Sequence, residues 1–166
     1  MRIARSAATL FVISSLTGTG LIAQTPAQQS ANAPAARHIA TAADSAAIRE
    51  TALDYIEGWY EGNADRMARA VHPELAKRIV RTNEQGMSRL DNQSAMTLVM
   101  GTKGGGGKNT PVARQQKDVT ILDIYRNAAS VKVVASDWID YLQIAKYNGS
   151  WRIVNVLWEL KPAPAP

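Results

Sequence analysis

The chain has 166 residues, no cysteine and a formal net charge of +5 at pH 7. The lack of cysteine excludes disulfide bonds, thiolate metal sites, thiol catalysis and a lipid anchor on cysteine. The basic residues are scattered, without the aromatic-interleaved basic stripe of nucleic-acid-binding proteins, so no nucleic-acid partner is expected.

The first 23 residues have the pattern of a secretory signal peptide. Arg2 and Arg5 give a basic start, residues 7–16 are apolar, and residues 21–23 end in a small residue. The apolar run is shorter than the ~20 residues of a transmembrane helix, so no membrane span is expected. The pattern predicts an exported protein, periplasmic or secreted, with a disordered tail as the alternative. The mature chain would keep 17 basic and 14 acidic residues, a net charge of +3.

Composition divides the rest of the chain into an arm, a domain and a tail. Residues 24–40 are mainly Ala, Gln and Pro, which predicts a disordered linker. Residues 41–161 carry the large apolar residues and have the length of one small domain. Residues 162–166 are Pro-Ala-Pro-Ala-Pro, which predicts a frayed end.

The domain is predicted to begin with a long helix. Thr41 and Asp44 form a capping-box pattern, a hydroxyl at the N-cap with a carboxylate three residues later. The helix is expected to run to about Glu61, before Gly62-Asn63. Four apolar residues along it recur at helical spacing and form one stripe: Ile48, Ala52, Tyr55 and Trp59.

A short helix and two short strands are predicted next. The helix covers residues 64–70 and stops before His72-Pro73, because proline disfavours helix in the residue before it. The strands cover residues 75–82 and 87–90, with a turn between them. Lys77, which alternates with other basic residues in the first strand, is expected on a solvated edge.

Ser94 is predicted to cap a third helix that ends at Met100, followed by a loop at residues 101–109. The loop is not a phosphate-binding G-x-x-x-x-G-K-[ST] motif, because Thr102 replaces its first glycine and Asn109 its hydroxyl residue. Since four consecutive glycines offer little packing, we expect this glycine loop to be mobile and dispensable for folding.

The C-terminal part predicts four consecutive antiparallel strands, at residues 119–125, 129–138, 139–147 and 150–158. Asn148-Gly149 is typical of a two-residue type I′ hairpin turn, because both central positions need positive φ. This turn sets the register, so Tyr147 opposes Ser150 and successive residues alternate between the two faces.

In that register both faces of the sheet are apolar, so each is expected to be covered. One face holds Leu142 together with two polar residues, Asp140 and Asn155, and is expected to lie under the helices. The other face is expected to pair with a second copy of the chain, in a homodimer, through four residues: Tyr141, Val154, Val156 and Trp158.

Two stretches carry a family resemblance: EGWYEGNADRMARAVHPELAKRIVRT and DYLQIAKYNGSWRIVNVLW. With the elements around them, they resemble the nuclear transport factor 2-like superfamily, most of all the branch labelled putative lumazine-binding, over roughly residues 46–160. The resemblance implies an α+β, cone-shaped fold, in which three N-terminal helices pack in a curved antiparallel sheet. It also implies a pocket at the wide end and pairing through the outer face of the sheet.

A pocket between the first helix and the inner face is expected to bind a small molecule through six residues: Tyr55, Trp59, His72, Asp140, Leu142 and Asn155. Buried polar groups such as Asp140 need partners or water, which favours a wet pocket. The alternatives are core packing for Tyr55 and Trp59, a solvent-reaching position for Asp140, and a helix-terminal role for His72. No zinc site is expected, because a second histidine at metal-ligand spacing is lacking. No cofactor is expected either.

Three functions remain open. The first is a non-enzymatic domain that binds a small, mainly apolar or aromatic molecule. The second is a lyase, isomerase or cyclase that uses Tyr55, His72 and Asp140. In ketosteroid isomerases of that superfamily, such a tyrosine serves the oxyanion hole, but their carboxylate base has no counterpart around residues 79–81, so no catalytic residue is assigned. The third is a dimerisation module with a vestigial pocket.

Overall fold

A computed structural model describes residues 40–162, which contain three α-helices, one short 3₁₀ helix (Val112–Arg114) and six strands. The predicted signal peptide (residues 1–23), nearly all of the predicted arm and the end of the tail lie outside the described residues. The helices are α1 (Ala42–Glu61), α2 (Ala64–Ala70) and α3 (Ala95–Lys103). The strands are β1 (Val71–Thr82), β2 (Ser88–Ser94), β3 (Lys117–Tyr125), β4 (Ala128–Ala135), β5 (Trp138–Tyr147) and β6 (Ser150–Leu160).

The predicted capping box starts α1. Thr41 Oγ1 accepts a hydrogen bond from the Asp44 amide at 3.0 Å, and Asp44 Oδ2 accepts one from the Thr41 amide at 3.3 Å. Asp44 also accepts from Lys146 Nζ at 2.9 Å and from Trp151 Nε1 at 3.3 Å, which attaches the helix to β5 and β6. The Thr41 hydroxyl also donates to Asp44 Oδ2 at 2.7 Å. This bond first, and then the bond from Lys146, hold the pKa of the Asp44 carboxyl well below its usual range. None of the helices in residues 40–162 is long and apolar enough to span a membrane.

The six strands form one sheet in the order β2-β1-β6-β5-β4-β3. The predicted meander from β3 to β6 is confirmed, and Asn148 (φ 48°) and Gly149 (φ 81°) adopt the left-handed turn between its last two strands. The sheet is mixed and not wholly antiparallel as expected, because β6 returns beside β1 in the same direction. β1 is also longer than predicted: it begins at Val71, and Pro73 lies in a stretch of irregular pairing.

The helices cover one face of the sheet, and the apolar core lies between them and that inner face. Helix α1 contributes the predicted stripe, with Trp59 only partly buried. Fully buried side chains come from both layers: Ile48, Ile56 and Met67 from the helices, and Val131, Val133, Leu142, Ile144, Ile153 and Val156 from the strands.

A β-bulge in β6 overturns part of the predicted facing. Ile144 pairs with Ile153, whereas the preceding residue, Gln143, pairs with Asn155, so Val154 is an extra residue. Because side chains alternate along a strand, one extra residue moves every later side chain of β6 to the opposite face. Val156 therefore turns into the core, whereas Asn155 turns outward.

Two of the four residues predicted for the dimer stripe face inward for the same reason: Val156 is 1% exposed, and Trp158 also lies on the inner side. Tyr141 (47% exposed) lies on the outer face as predicted, and it pairs directly with the exposed Leu157 (56%) across β5 and β6. An apolar outer surface thus exists, but its composition differs from the one predicted.

The glycine loop is packed, contrary to expectation. Helix α3 extends to Lys103, beyond the predicted end at Met100, and hydrogen-bonded turns follow it. Gly106 and Gly107 lie directly against Trp59. A methyl group on Gly107 would come within 2.5 Å of the Trp59 carbonyl oxygen, so only glycine permits this approach.

We expect Gly107→Ala to lower the free energy of unfolding by about 1–3 kcal/mol, because the added methyl overlaps the Trp59 backbone. Gly104→Ala is the matched control: its φ of −69° suits alanine and the nearest atoms lie at 3.5 Å. The control should be neutral or stabilising by about 0.4–1 kcal/mol. Urea unfolding of both variants measures the difference, and equal stability of the two would show that the loop does not pack on Trp59.

Candidate functional site

A cavity of about 230 Å³ lies between the helices and the inner face of the sheet. All three α-helices and four of the six strands contribute to its wall, so it exists only in the assembled fold. The lining side chains are Tyr55, Trp59, Met67, Lys77, Gln93, Leu98, Trp138 and Trp158. Most of this wall is apolar or aromatic, whereas Lys77 and Gln93 are polar.

Three tryptophans give the cavity its aromatic character. The rings of Trp59 and Trp138 meet edge to face, with centroids 6.5 Å apart and an angle of 87° between the planes. Trp158 lies beneath the Lys77 ammonium group, 4.7 Å from Nζ to the ring centroid, which is a cation–π distance. A planar ring of a ligand could therefore pack against aromatic surface on more than one side.

A buried polar cluster forms one end of the cavity. Lys77 Nζ donates to Asp140 Oδ1 at 2.5 Å and to Tyr55 Oη at 2.6 Å. Asp140 Oδ2 accepts from Trp138 Nε1 at 2.6 Å and from Tyr55 Oη at 3.2 Å. Asp140 is 0% exposed and Lys77 is 6% exposed. The two buried charges thus compensate each other, and hydrogen bonds hold both carboxylate oxygens.

Burial shifts the acid–base properties of this cluster. Removal from water lowers the pKa of Lys77 below its usual value, and the negative charge of Asp140 partly opposes this effect. Burial also raises the pKa of Tyr55 well above its usual value, and Asp140 adds to that rise. Tyr55 therefore stays a protonated donor, while Lys77 gives up its proton more readily than an exposed lysine does.

The structure brings three of the six predicted site residues together at the cavity. Tyr55 and Trp59 line it from α1, and Asp140 lies behind the wall, bonded to Tyr55 and Lys77. Leu142 faces the same side of the sheet but is buried in the core and is not part of the cavity lining.

The other two predicted residues lie elsewhere, so the expected convergence of all six is wrong. His72, at the start of β1, meets Tyr147 edge to face at 4.6 Å, and its Nδ1 accepts from the Glu74 amide. Asn155 lies on the outer face because of the β6 bulge, where its amide bonds to Arg78 and Gln143.

Lys77 is the functional candidate that sequence reasoning missed. It was expected on a solvated edge with the other basic residues of β1. The signal was present in the period of the strand: Leu75, Lys77 and Ile79 share one face, and the two outer members are buried. A charged residue between two core residues on one face indicates a buried, partnered charge.

Among residues 40–162, no three His, Asp or Glu side chains come close enough together to hold a metal ion.

Within the same residues, the Trp158 Nε1 group is buried without a hydrogen-bond partner. An unpaired buried donor of this kind is uncommon in folded proteins.

Residues 43–159 match the model of a family described as putative lumazine-binding. A comparison with curated proteins found no match. The family match spans the three α-helices and the six strands apart from the first residue of α1 and the last residue of β6.

Similar solved structures are nuclear transport factor 2-like proteins. One from Methylobacillus flagellatus, of unknown function, has 20% identity and a TM-score of 0.60, over 76% of this chain and 98% of the other. One from Shewanella baltica, also of unknown function, has 20% identity and a TM-score of 0.55, over 73% and 96%. One from Novosphingobium aromaticivorans, described as having a cystatin-like fold, has 11% identity and a TM-score of 0.53, over 74% and 85%. These similarities show the α+β fold expected from the sequence.

We expect Asp140→Asn to lower the free energy of unfolding at pH 7 by about 3–5 kcal/mol, because it leaves the buried Lys77 ammonium without its counter-charge. The pKa of Lys77 in the folded state should then fall further below the 10.5 of an ordinary lysine. Between those two values the unfolded state binds more protons, so part of the lost stability should return as the pH is raised.

Asp123→Asn is the control for this substitution, because Asp123 is an exposed carboxylate of β3 in the same sheet. It should change stability by less than about 0.5 kcal/mol. Urea unfolding between pH 6 and pH 10 measures both variants. A loss for Asp140→Asn no larger than the control, or one that deepens as the pH rises, would contradict the assigned role of the pair.

Proposed function

This chain belongs to the family described as putative lumazine-binding, and we propose that it binds a small, mainly aromatic molecule in the cavity beside Tyr55 and Lys77. The observation that carries the proposal is the combination of a largely apolar wall with one end of fixed polar groups. Ligand sites typically have this composition, because apolar surface supplies affinity and a few polar groups orient the ligand.

The charge and size of the cavity narrow the ligand class. Lys77 and Asp140 neutralise each other, so a ligand with a net charge would lose its hydration without gaining a counter-charge. The cavity of about 230 Å³ is smaller than the roughly 300–1,000 Å³ of pockets for drug-sized ligands. A neutral planar ring system with a carbonyl or ring-nitrogen acceptor fits both limits. Lumazine, which the family description names, is a molecule of this class.

Binding can be tested with lumazine and naphthol as neutral probes and naphthoate as a charged one, followed by tryptophan fluorescence. Gln93→Trp should weaken binding of the neutral probes at least about tenfold. Gln93 is an exposed residue of the cavity wall, and the larger indole ring at this position would obstruct the cavity. The matched control is Asn92→Trp, at an exposed residue of the same strand that alternates with Gln93 and so lies on the outer face.

The two variants should unfold at similar urea concentrations, because both positions are exposed on strands. Binding that survives Gln93→Trp unchanged would place the ligand outside this cavity. Naphthoate binding as tightly as naphthol would contradict the preference for neutral ligands.

We further propose that the protein forms a homodimer through the outer face of the sheet. The exposed pair of Tyr141 and Leu157 lines a groove on this face together with the exposed Leu122 of β3. Exposed apolar residues on neighbouring strands are a common basis for an interface between identical subunits.

Leu157→Arg should convert the dimer to a monomer at micromolar concentration while leaving the domain folded, because Leu157 is 56% exposed. Val156→Arg should instead unfold the domain, since it would place a charge in the core. Sedimentation gives the mass and circular dichroism gives the fold. A wild-type protein that sediments as a monomer would reject the interface.

We also propose that the protein is exported to the periplasm or the medium. The support is the signal-peptide pattern of residues 1–23, with Arg2 and Arg5 before an apolar run. Expression of the full chain in a bacterium should yield a protein shortened by about 23 residues, as measured by intact mass. An uncut chain that stays in the cytoplasm would contradict export.

A further inference from the structure

The Lys77 side chain combines three properties that a structural ion pair alone does not require. It lines a cavity, its Nζ is hydrogen-bonded to two acid–base groups, and this Nζ lies over two aromatic rings, those of Tyr55 and Trp158. Buried lysines in apolar surroundings are the ones that act as nucleophiles toward carbonyl compounds. Among residues 40–162, no other lysine lines this cavity.

We propose that Lys77 forms a reversible imine with an aromatic aldehyde or ketone held in the cavity. This inference deepens the proposed ligand binding and rests on it, since the carbonyl compound must first occupy the same cavity. It specifies that the ligand has a reactive carbonyl group and that this group reacts with the Lys77 amine.

The step balances without any further reagent. The Lys77 ammonium passes a proton to the Asp140 carboxylate, and the free amine attacks the carbonyl carbon, so that a C–N bond forms and the C=O double bond becomes an alkoxide. The alkoxide takes up the proton held by Asp140, and the nitrogen of the adduct transfers one of its protons to Asp140. That proton then joins the hydroxyl group, the C–O bond breaks and water leaves. The product is an iminium ion with the same net charge as the starting ammonium.

The hydrogen-bonded groups around Lys77 lie close enough to carry out these proton transfers. Asp140 lies 2.5 Å from Lys77 Nζ, within reach of the proton that must leave the amine. The Tyr55 hydroxyl bridges the two, at 2.6 Å from Nζ and 3.2 Å from the carboxylate, and can relay a proton toward the departing oxygen. Burial favours the free amine by lowering the pKa of Lys77, and it keeps the Tyr55 hydroxyl protonated.

Three other lysines of the described chain have different surroundings. Lys146 is paired with Asp44, Lys117 is paired with Glu57 and half exposed, and Lys161 donates to backbone carbonyls at the end of β4. None of them has an aromatic cavity that would hold a carbonyl compound beside the amine. They serve as internal controls for the reactivity of an ordinary lysine in the same protein.

The test uses naphthaldehyde with cyanoborohydride at pH 7, which reduces an imine to a stable amine and does not require a Lys77 variant to fold. Peptide mapping of the wild-type protein locates the naphthylmethyl group. We expect modification of Lys77 at least about tenfold faster than of any other lysine, because the cavity holds the aldehyde beside the amine. Naphthylmethanol, which has no carbonyl group, should compete for the cavity and slow the reaction.

Two variants distinguish an effect on the reaction of Lys77 from an effect on the folding of the domain. Tyr55→Phe should slow modification of Lys77 by about 10²-fold, because a proton relay is lost. Tyr60→Phe is the matched control on the same helix: Tyr60 is buried and hydrogen-bonded but does not line the cavity. It should leave the rate unchanged, and both variants should show the far-UV circular dichroism of the wild type.

The outcomes distinguish this inference from the proposed function. If naphthylmethanol binds but the label is spread over the surface lysines, the cavity is a non-covalent binding site and the imine is rejected. If neither compound binds and Lys77 is not labelled, both the imine and the binding proposal fail.

Discussion

The buried pair of Lys77 and Asp140 is the interaction on which the site depends. The two residues lie on β1 and β5, with β6 between them, so their bond is diagonal across the centre of the sheet. Tyr55 of α1 bonds to both and connects the helix layer to the same point. Since an unpaired charge here would lose several kcal/mol of solvation, the three elements must assemble together.

The bulge in β6 makes this arrangement possible. Without the extra residue at Val154, the alternation of side chains would turn Trp158 away from the helices and Asn155 toward them. With it, Trp158 faces inward opposite Asp140 and supplies the aromatic ring under the Lys77 ammonium group. The same shift leaves Leu157 on the outer face, so one irregular residue decides the composition of both surfaces.

The glycine loop contributes to the site through Trp59. Gly106 and Gly107 lie against one side of this indole, while its edge packs on Trp138 at the cavity wall. The backbone can approach so closely only because side chains are absent at both positions. A segment that composition marks as unstructured is therefore part of the support of an aromatic wall, and its glycines are needed for packing.

The sequence by itself determined the local features, because each depends on neighbouring residues. The capping box at Thr41, the apolar stripe of α1 and the Asn148-Gly149 turn follow from preferences over a few residues. The fold class was implied by the resemblance of two stretches of the sequence to the nuclear transport factor 2-like superfamily. Only the tertiary structure decided the partners of Lys77, the facing of Val156 and the packing of the glycine loop. These features depend on a bulge and on contacts between distant segments. The pattern of apolar and polar residues in one strand shows neither where an extra residue lies nor which distant residues the strand contacts.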